Sequence, residues 1–160
     1  MTKEHFPATP AIRVLKEKGI AFTLRPYKYE EKGGTEVAAR ELLADEYQVV
    51  KTLVMEDDRK TPFIIIMHGN KHVSTKTLAR ILGVKTVNAC DPKMAEKHTG
   101  YMVGGTSPFG TRKTLPVYVE ATILDLPKIF INAGRKGLLA EMTPAELQRA
   151  LSVKPVNVAI

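Results

Sequence analysis

The 160-residue chain contains one cysteine, Cys90, so it cannot form an intramolecular disulfide. A lone thiol fits a reducing compartment, and the cytoplasm is the expected location. No apolar run approaches the ~20 residues needed to span a bilayer. The stretch Met1–Pro7 lacks the apolar core of a secretory leader, so neither export nor a membrane partner is expected. Motifs that carry chemistry are equally scarce. There is no HExxH, G-x-S-x-G elbow, Walker A, G-x-G-x-x-G or paired-carboxylate pattern. His68 and His72 have an H-x3-H spacing, but on a strand end and a Gly-Asn turn with no second cluster, so no metal is implied. Cys90 and His98 fall within one predicted helix at a separation that points them to different faces. An enzyme built on this chain has no obvious side-chain nucleophile. That favours backbone N–H groups polarising a carbonyl while water or the substrate itself attacks.

Charge is present in excess and unevenly placed. The net charge is +7. Residues 1–50 hold eight Lys/Arg against eight Asp/Glu, residues 51–113 hold eleven against five, and residues 114–160 hold five against four. The surplus therefore sits in the middle third. A basic region of this kind suits a polyanionic partner, because phosphate contacts release counterions. Generic solubility charge is the alternative.

Three helix starts are legible as a capping residue followed by proline: Thr9-Pro10, Asp91-Pro92 and Thr143-Pro144, the last with Glu146 completing a capping box. A fourth helix is predicted from about Ser74 to Gly83, and a fifth around Glu36–Leu43. Strands are predicted at Ala21–Tyr29, Lys85–Asn88, Tyr101–Val103, Leu115–Val119 and Lys128–Asn132. The runs Val49–Met55 and Phe63–Met67, joined by Asp57-Asp58-Arg59-Lys60, read as a hairpin. These elements predict a single α+β domain over residues 1–160, with a curled, largely antiparallel or mixed sheet tending toward a barrel and surrounded by helices.

Two glycine clusters follow strand-like runs: Thr99-Gly-Tyr-Met-Val-Gly-Gly-Thr-Ser-Pro-Phe-Gly110 and Asn132-Ala-Gly-Arg-Lys-Gly137. Glycine permits positive φ and close approach of backbone to a ligand, so such loops can offer N–H groups to an anion or carbonyl. Two hairpin turns would look the same. Lys51 stands among Val49, Val50, Leu53 and Val54, on the strand face of Val49, Leu53 and Met55. Its ammonium must snorkel to a rim or meet an anion.

These pieces, in this order, resemble the YbaK family of freestanding aminoacyl-tRNA deacylases, related to the editing domain of prolyl-tRNA synthetases. The resemblance runs from about Thr9 to about Leu151. It is carried by Pro10-Ala11, Tyr27, Val50-Lys51-Thr52-Leu53, Leu82-Gly83-Val84-Lys85, Ala89-Cys90-Asp91-Pro92, Thr99–Gly110 and Gly134-Arg135-Lys136-Gly137. It implies a pocket for the aminoacylated 3′ end of tRNA, with Lys51 at the terminal ribose and phosphate. Gly104 and Gly105 would line the ester, and amides there and at Ala133-Gly134 would meet the oxyanion. Tyr27, Thr52, Thr106, Ser107, Asn132 and Arg135 would be further contacts. Aminoacyl-tRNA is the implied partner, prolyl-tRNA synthetase a candidate second one, and no metal or organic cofactor is implied. In the cysteine-specific branch the substrate's thiol attacks its own ester, whereas relatives that remove alanine use water. That branch commonly has Ser where this chain has Asn132 and Asp where it has Leu139. A domain that holds tRNA ends or nucleotides without catalysis is the rival reading, and a small-molecule hydrolase acting without RNA is a third.

Overall fold

A computed structural model describes residues 8–160; the Met1–Pro7 stretch read above for a leader lies outside them. Thr9 caps α1 (Pro10–Glu17) by accepting the Ile12 N–H at 3.1 Å, and Ala11, Ile12 and Leu15 bury one face of that helix. β1 (Thr23–Pro26) and α2 (Gly34–Leu42) follow. The predicted hairpin forms as β2 (Val50–Asp57) and β3 (Pro62–His68), antiparallel with Lys51 opposite Met67. Every residue of β3 is buried. Ile64 and Ile66 enter one core and Phe63, Ile65 and Met67 another, which is why this strand is one apolar run rather than an alternation.

Next come α3 (Thr75–Leu82), β4 (Val87–Ala89), α4 (Pro92–Thr99), β5 (Val117–Glu120), β6 (Ile129–Arg135), β7 (Leu138–Met142), α5 (Pro144–Ala150) and β8 (Val153–Val156). All three cap-plus-proline starts are used, since Asp91 and Thr143 also accept backbone N–H bonds from their own first turns. The strands make a three-stranded sheet, β1-β7-β6, and a mixed five-stranded sheet, β4-β2-β3-β5-β8. The α+β class stands. The barrel does not: among the described residues neither sheet closes, because the two share only an isolated parallel bridge, Val49 to Phe130.

Four further expectations are corrected. Tyr101–Val103 is not a strand; Tyr101 is buried while Met102 and Val103 face solvent, and among the described residues no strand pairs with the segment. Cys90 precedes α4 rather than lying in it. β6 continues through Arg135, confining the turn to Lys136-Gly137. β7 and β8 were not foreseen. Proline cannot donate to a ladder, and Pro155 accordingly places β8 at the sheet edge.

Candidate active site

The isolated bridge defines the place where a site can form. From it β2 and β6 run side by side in the same direction, yet no ladder joins them. β4 does not reach β2 until Met55, apart from the Cys90 N–H bond to Val54 O, so among the described residues the β2 edge at Lys51–Leu53 has no strand partner on that side. β6 is likewise the edge of its own sheet. Two open strand edges thus face each other across a seam. Unpaired edge groups must be covered or find a partner. On the β6 side they are covered in part: the Thr9 hydroxyl donates to Ala133 O at 2.6 Å.

The glycine loop is fastened to this edge by Asn132. Its Nδ2 donates to Gly104 O at 3.3 Å, and its Oδ1 accepts from the N–H groups of Gly134 at 2.7 Å and Arg135 at 3.1 Å. These bonds span the irregularity between Asn132 and Arg135 in the β6–β7 register. Gly105 needs to be glycine for a structural reason, because an added Cβ would sit 2.9 Å from Lys136 N and 3.1 Å from Arg135 C. Gly104, at φ +90°, would push a Cβ to 2.6 Å from the Tyr29 hydroxyl. Lys136 lies over the Tyr29 ring at 5.2 Å and pairs with Glu31 at 3.1 Å, closing one side of the loop. Tyr101 closes another, its phenol donating to Phe109 O at 2.6 Å and pushed up to about 12 by burial.

Lys51 lies across the seam, half-buried. Its Nζ reaches Gly69 O at 3.5 Å, and the Thr35 hydroxyl lies between Gly69 O at 3.1 Å and Glu46 Oε2 at 2.8 Å. Desolvation lowers the Lys51 pKa, partly offset by the Glu46 carboxylate. Among the described residues no carboxylate lies within ion-pair distance of it. Thr52 points to the opposite face, and its Oγ1 is buried with no hydrogen-bond partner among the described residues. A buried orphan hydroxyl costs about 1–3 kcal/mol.

The structure therefore brings Gly104, Gly105, Asn132, Ala133, Gly134 and Arg135 together, and sets Lys51 and Thr52 on the other edge. No hydrogen bond links the two groups among the described residues. Tyr27 is tied to the β6–β7 turn through its N–H bond to Gly137 O at 2.9 Å, and burial raises its phenol pKa. Thr106 leans on Met102 O at 3.4 Å. Ser107 is fully buried and accepts the Phe109 N–H at 3.2 Å, so it shapes the loop from inside. Two amides expected to face an oxyanion are engaged: Gly105 N–H with Met102 O, and Gly134 N–H with Asn132 Oδ1. Sequence reasoning missed Tyr29, Lys136, Thr35 and Glu46, whose roles arise from contacts between distant segments. Burial pushes the Cys90 thiol up, with Glu56 adding to the shift, which suits a small core residue rather than a thiolate. His68 is also a core group: Nδ1 faces Tyr47 O and Nε2 faces the Thr122 hydroxyl, each at 2.7 Å.

Comparisons with known proteins identify the family and the fold. A sequence profile of the aminoacyl-tRNA editing domain matches residues 30–150. EbsC of Enterococcus faecalis, described as a candidate Cys-tRNA(Pro)/Cys-tRNA(Cys) deacylase, is 28% identical over 137 residues, covering 85% of this chain and 84% of EbsC. YwhH of Bacillus subtilis, an uncharacterised protein, is 24% identical over 121 residues, or 75% of this chain and 76% of YwhH. The crystal structure of a candidate trans-editing enzyme for prolyl-tRNA synthetase is similar at a TM-score of 0.84 and 22% identity, across 98% of this chain and 99% of that one. The matched stretch contains both edges of the seam and the glycine loop between them. The chain belongs to the aminoacyl-tRNA editing domain family.

Proposed function

We propose that this protein is a trans-editing aminoacyl-tRNA deacylase that cleaves the ester between a small, mischarged amino acid and its tRNA, with Cys-tRNA(Pro) the first substrate to test. The observation that carries the reading is Lys51, a half-buried ammonium held at an open strand edge with, among the described residues, only a long bond to Gly69 O. A desolvated cation so placed gains most from an incoming phosphate or ester oxygen. Lys51 anchors the terminal ribose and phosphate, while Thr52, its hydroxyl buried on the opposite strand face, supports the edge from behind. The Gly104-Gly105 loop lines the ester, with Asn132, Ala133, Gly134 and Arg135 holding it from below. With the Gly105 and Gly134 amides engaged, the oxyanion falls to the neighbouring Gly104 amide. Tyr27, Thr106 and Ser107 shape the wall rather than react.

No side chain attacks. With cysteine as the amino acid, its thiol sulfur bonds to the carbonyl carbon, the ester C–O bond breaks, and the thiol proton passes to the ribose oxygen. The products are a thiolactone and uncharged tRNA. With alanine, water takes the place of the thiol and the free acid is released. Such a substrate would be met in the cytoplasm, with prolyl-tRNA synthetase a candidate second partner.

Multiple-turnover assays on Cys-, Ser- and Ala-tRNA(Pro) test this reading. Release of cysteine much faster than serine is expected, since a thiolate forms far more readily than an alkoxide. Equal rates for cysteine and alanine would assign the attack to water. Protection of all three esters would make the protein a tRNA-end holder and end the deacylase reading.

A further inference from the structure

A groove outside the seam is lined by Lys93, Glu96, Lys97, Gly100 and Arg112. Lys93, Glu96 and Lys97 share one face of α4, at i, i+3 and i+4. Arg112 lies at the far end of the loop that begins at Gly100, strapped to the last turn of the helix by its N–H bond to Thr99 O at 3.0 Å and by Lys113 N–H to His98 O at 2.9 Å. Gly100 ends the helix at φ +80°, and its bare Cα lies beneath the Arg112 side chain, whose Cβ and Nε would be 3.6 Å from any Cβ added there.

Three cations and one carboxylate line this groove. Among the described residues none of the three cations has a carboxylate within 4.0 Å. Lys97 and Arg112 sit at the negative end of the helix, where a cation is favourable for folding alone. Lys93 is different. It follows the Pro92 start, at the positive end, where a cation is unfavourable. Folding does not ask for a lysine there, nor for three unpartnered like charges around one groove. An anion with several charge centres in a row satisfies both.

The groove is close to the seam. Gly100 is four residues from Gly104, so their Cα atoms are at most ~14 Å apart along an extended chain. A nucleic-acid strand rises ~3.4 Å per nucleotide, so that span is at most about four nucleotides. We propose that Lys93, Lys97 and Arg112 form a docking surface for the phosphodiester backbone of the tRNA acceptor arm, just upstream of the 3′ end held in the seam. The inference rests on the proposed tRNA substrate. It adds the surface that distinguishes a whole tRNA from a small ester.

The test compares wild type with the triple variant Lys93→Ala, Lys97→Ala, Arg112→Ala. Binding of uncharged tRNA(Pro) is followed by fluorescence anisotropy across a salt series. Turnover is measured on Cys-tRNA(Pro) and on 3′-O-cysteinyl adenosine, which has the ester and terminal ribose but no acceptor-arm phosphates. Each lost phosphate contact should flatten the log–log salt slope by roughly 0.7–0.9. KM for Cys-tRNA(Pro) should rise at least tenfold, while turnover of cysteinyl adenosine stays at the wild-type value. The double variant Lys93→Gln, Lys97→Gln, on the exposed helix face, should show an intermediate slope even if the triple variant misfolds. An unchanged slope and affinity would overturn the proposal, as would an equal loss on the small ester. So would a variant that binds tRNA normally but no longer associates with prolyl-tRNA synthetase, since the surface would then serve a protein. A wild type that binds tRNA with a steep salt slope yet leaves the ester intact would refute the deacylase reading and keep this surface. One that deacylates Cys-tRNA(Pro) while the triple variant matches it would do the reverse.

Discussion

Replacing Lys51 with methionine should separate a functional lysine from one that merely snorkels. On its strand face Lys51 is followed by Leu53 and Met55, so an unbranched apolar chain of similar length suits the site. The substitution removes a desolvated ammonium whose one hydrogen bond among the described residues is 3.5 Å long, a distance at which little is lost. Stability should therefore stay level or rise. The activity should move the other way. A charge-assisted contact to substrate is worth about 1.5–3 kcal/mol, which corresponds to roughly a 10- to 150-fold loss in kcat/KM. The pH dependence provides a second readout. The folded-state pKa of Lys51 is lowered, so between that value and the unfolded value of about 10.4 the unfolded chain binds the extra proton. Wild-type stability should gain a contribution as pH rises through that window, and Lys51→Met should lack it. Chemical denaturation at several pH values and deacylation of Cys-tRNA(Pro) give the two quantities. A variant that is destabilised yet retains wild-type kcat/KM would refute the anchoring role.

Asn132→Asp should separate loop fastening from β6 geometry: a carboxylate still accepts the Gly134 and Arg135 N–H bonds but cannot donate to Gly104 O. Thermal stability should change by no more than about 1.5 kcal/mol, the scale of one hydrogen bond, while deacylation falls; an unchanged rate would show that the tie to Gly104 is dispensable. The His68 pKa is lowered by burial, so wild-type stability should fall as pH drops below about 6.5, down to the folded-state pKa, because the unfolded chain binds the proton first. In His68→Gln that acid-side loss should vanish from urea melts, against a lower baseline from disturbed bonds to Tyr47 O and Thr122; a persisting loss would place the titration elsewhere.

Local signals that combine two constraints were legible in the sequence. A capping side chain plus proline located α1, α4 and α5 because each satisfies orphan N–H groups and fixes φ at once. The β2–β3 hairpin was legible because its turn residues separate two apolar runs too short for helices. β7 was not, since Leu138-Leu-Ala-Glu-Met142 consists of good helix formers and becomes a strand only by pairing with β1 and β6. Tyr101–Val103 failed in the opposite sense, having strand-like composition but no neighbour. The site divides the same way. Lys51 stood out as a charge in an apolar run, and the glycine clusters stood out by composition. The fastening of Gly104 by Asn132, the Tyr29–Lys136 wall and the Thr35–Glu46 contact beside Gly69 join segments up to about a hundred residues apart, and no local pattern encodes them.

Asn132 and Leu139 depart from the residues that the resemblance gives for the cysteine-specific branch, and the structure sets the two positions side by side. They are direct partners in the β6–β7 register. Leu139 is 4% exposed and packs with Ala38, Ala39, Val49 and Phe130, at the point where the bridge joins the two sheets. A carboxylate at that position would be buried among apolar side chains and would need a hydrogen-bonding partner opposite, which a serine hydroxyl supplies. Leucine removes that need, and the residue opposite becomes free to make other bonds. Asn132 makes them to its own strand and to Gly104. In this chain the polar function at the register pair rests on a single amide that holds the glycine loop. Under the proposed function, selectivity for the amino acid then depends on how firmly Asn132 sets Gly104 against Tyr29, more than on any charge within the pocket.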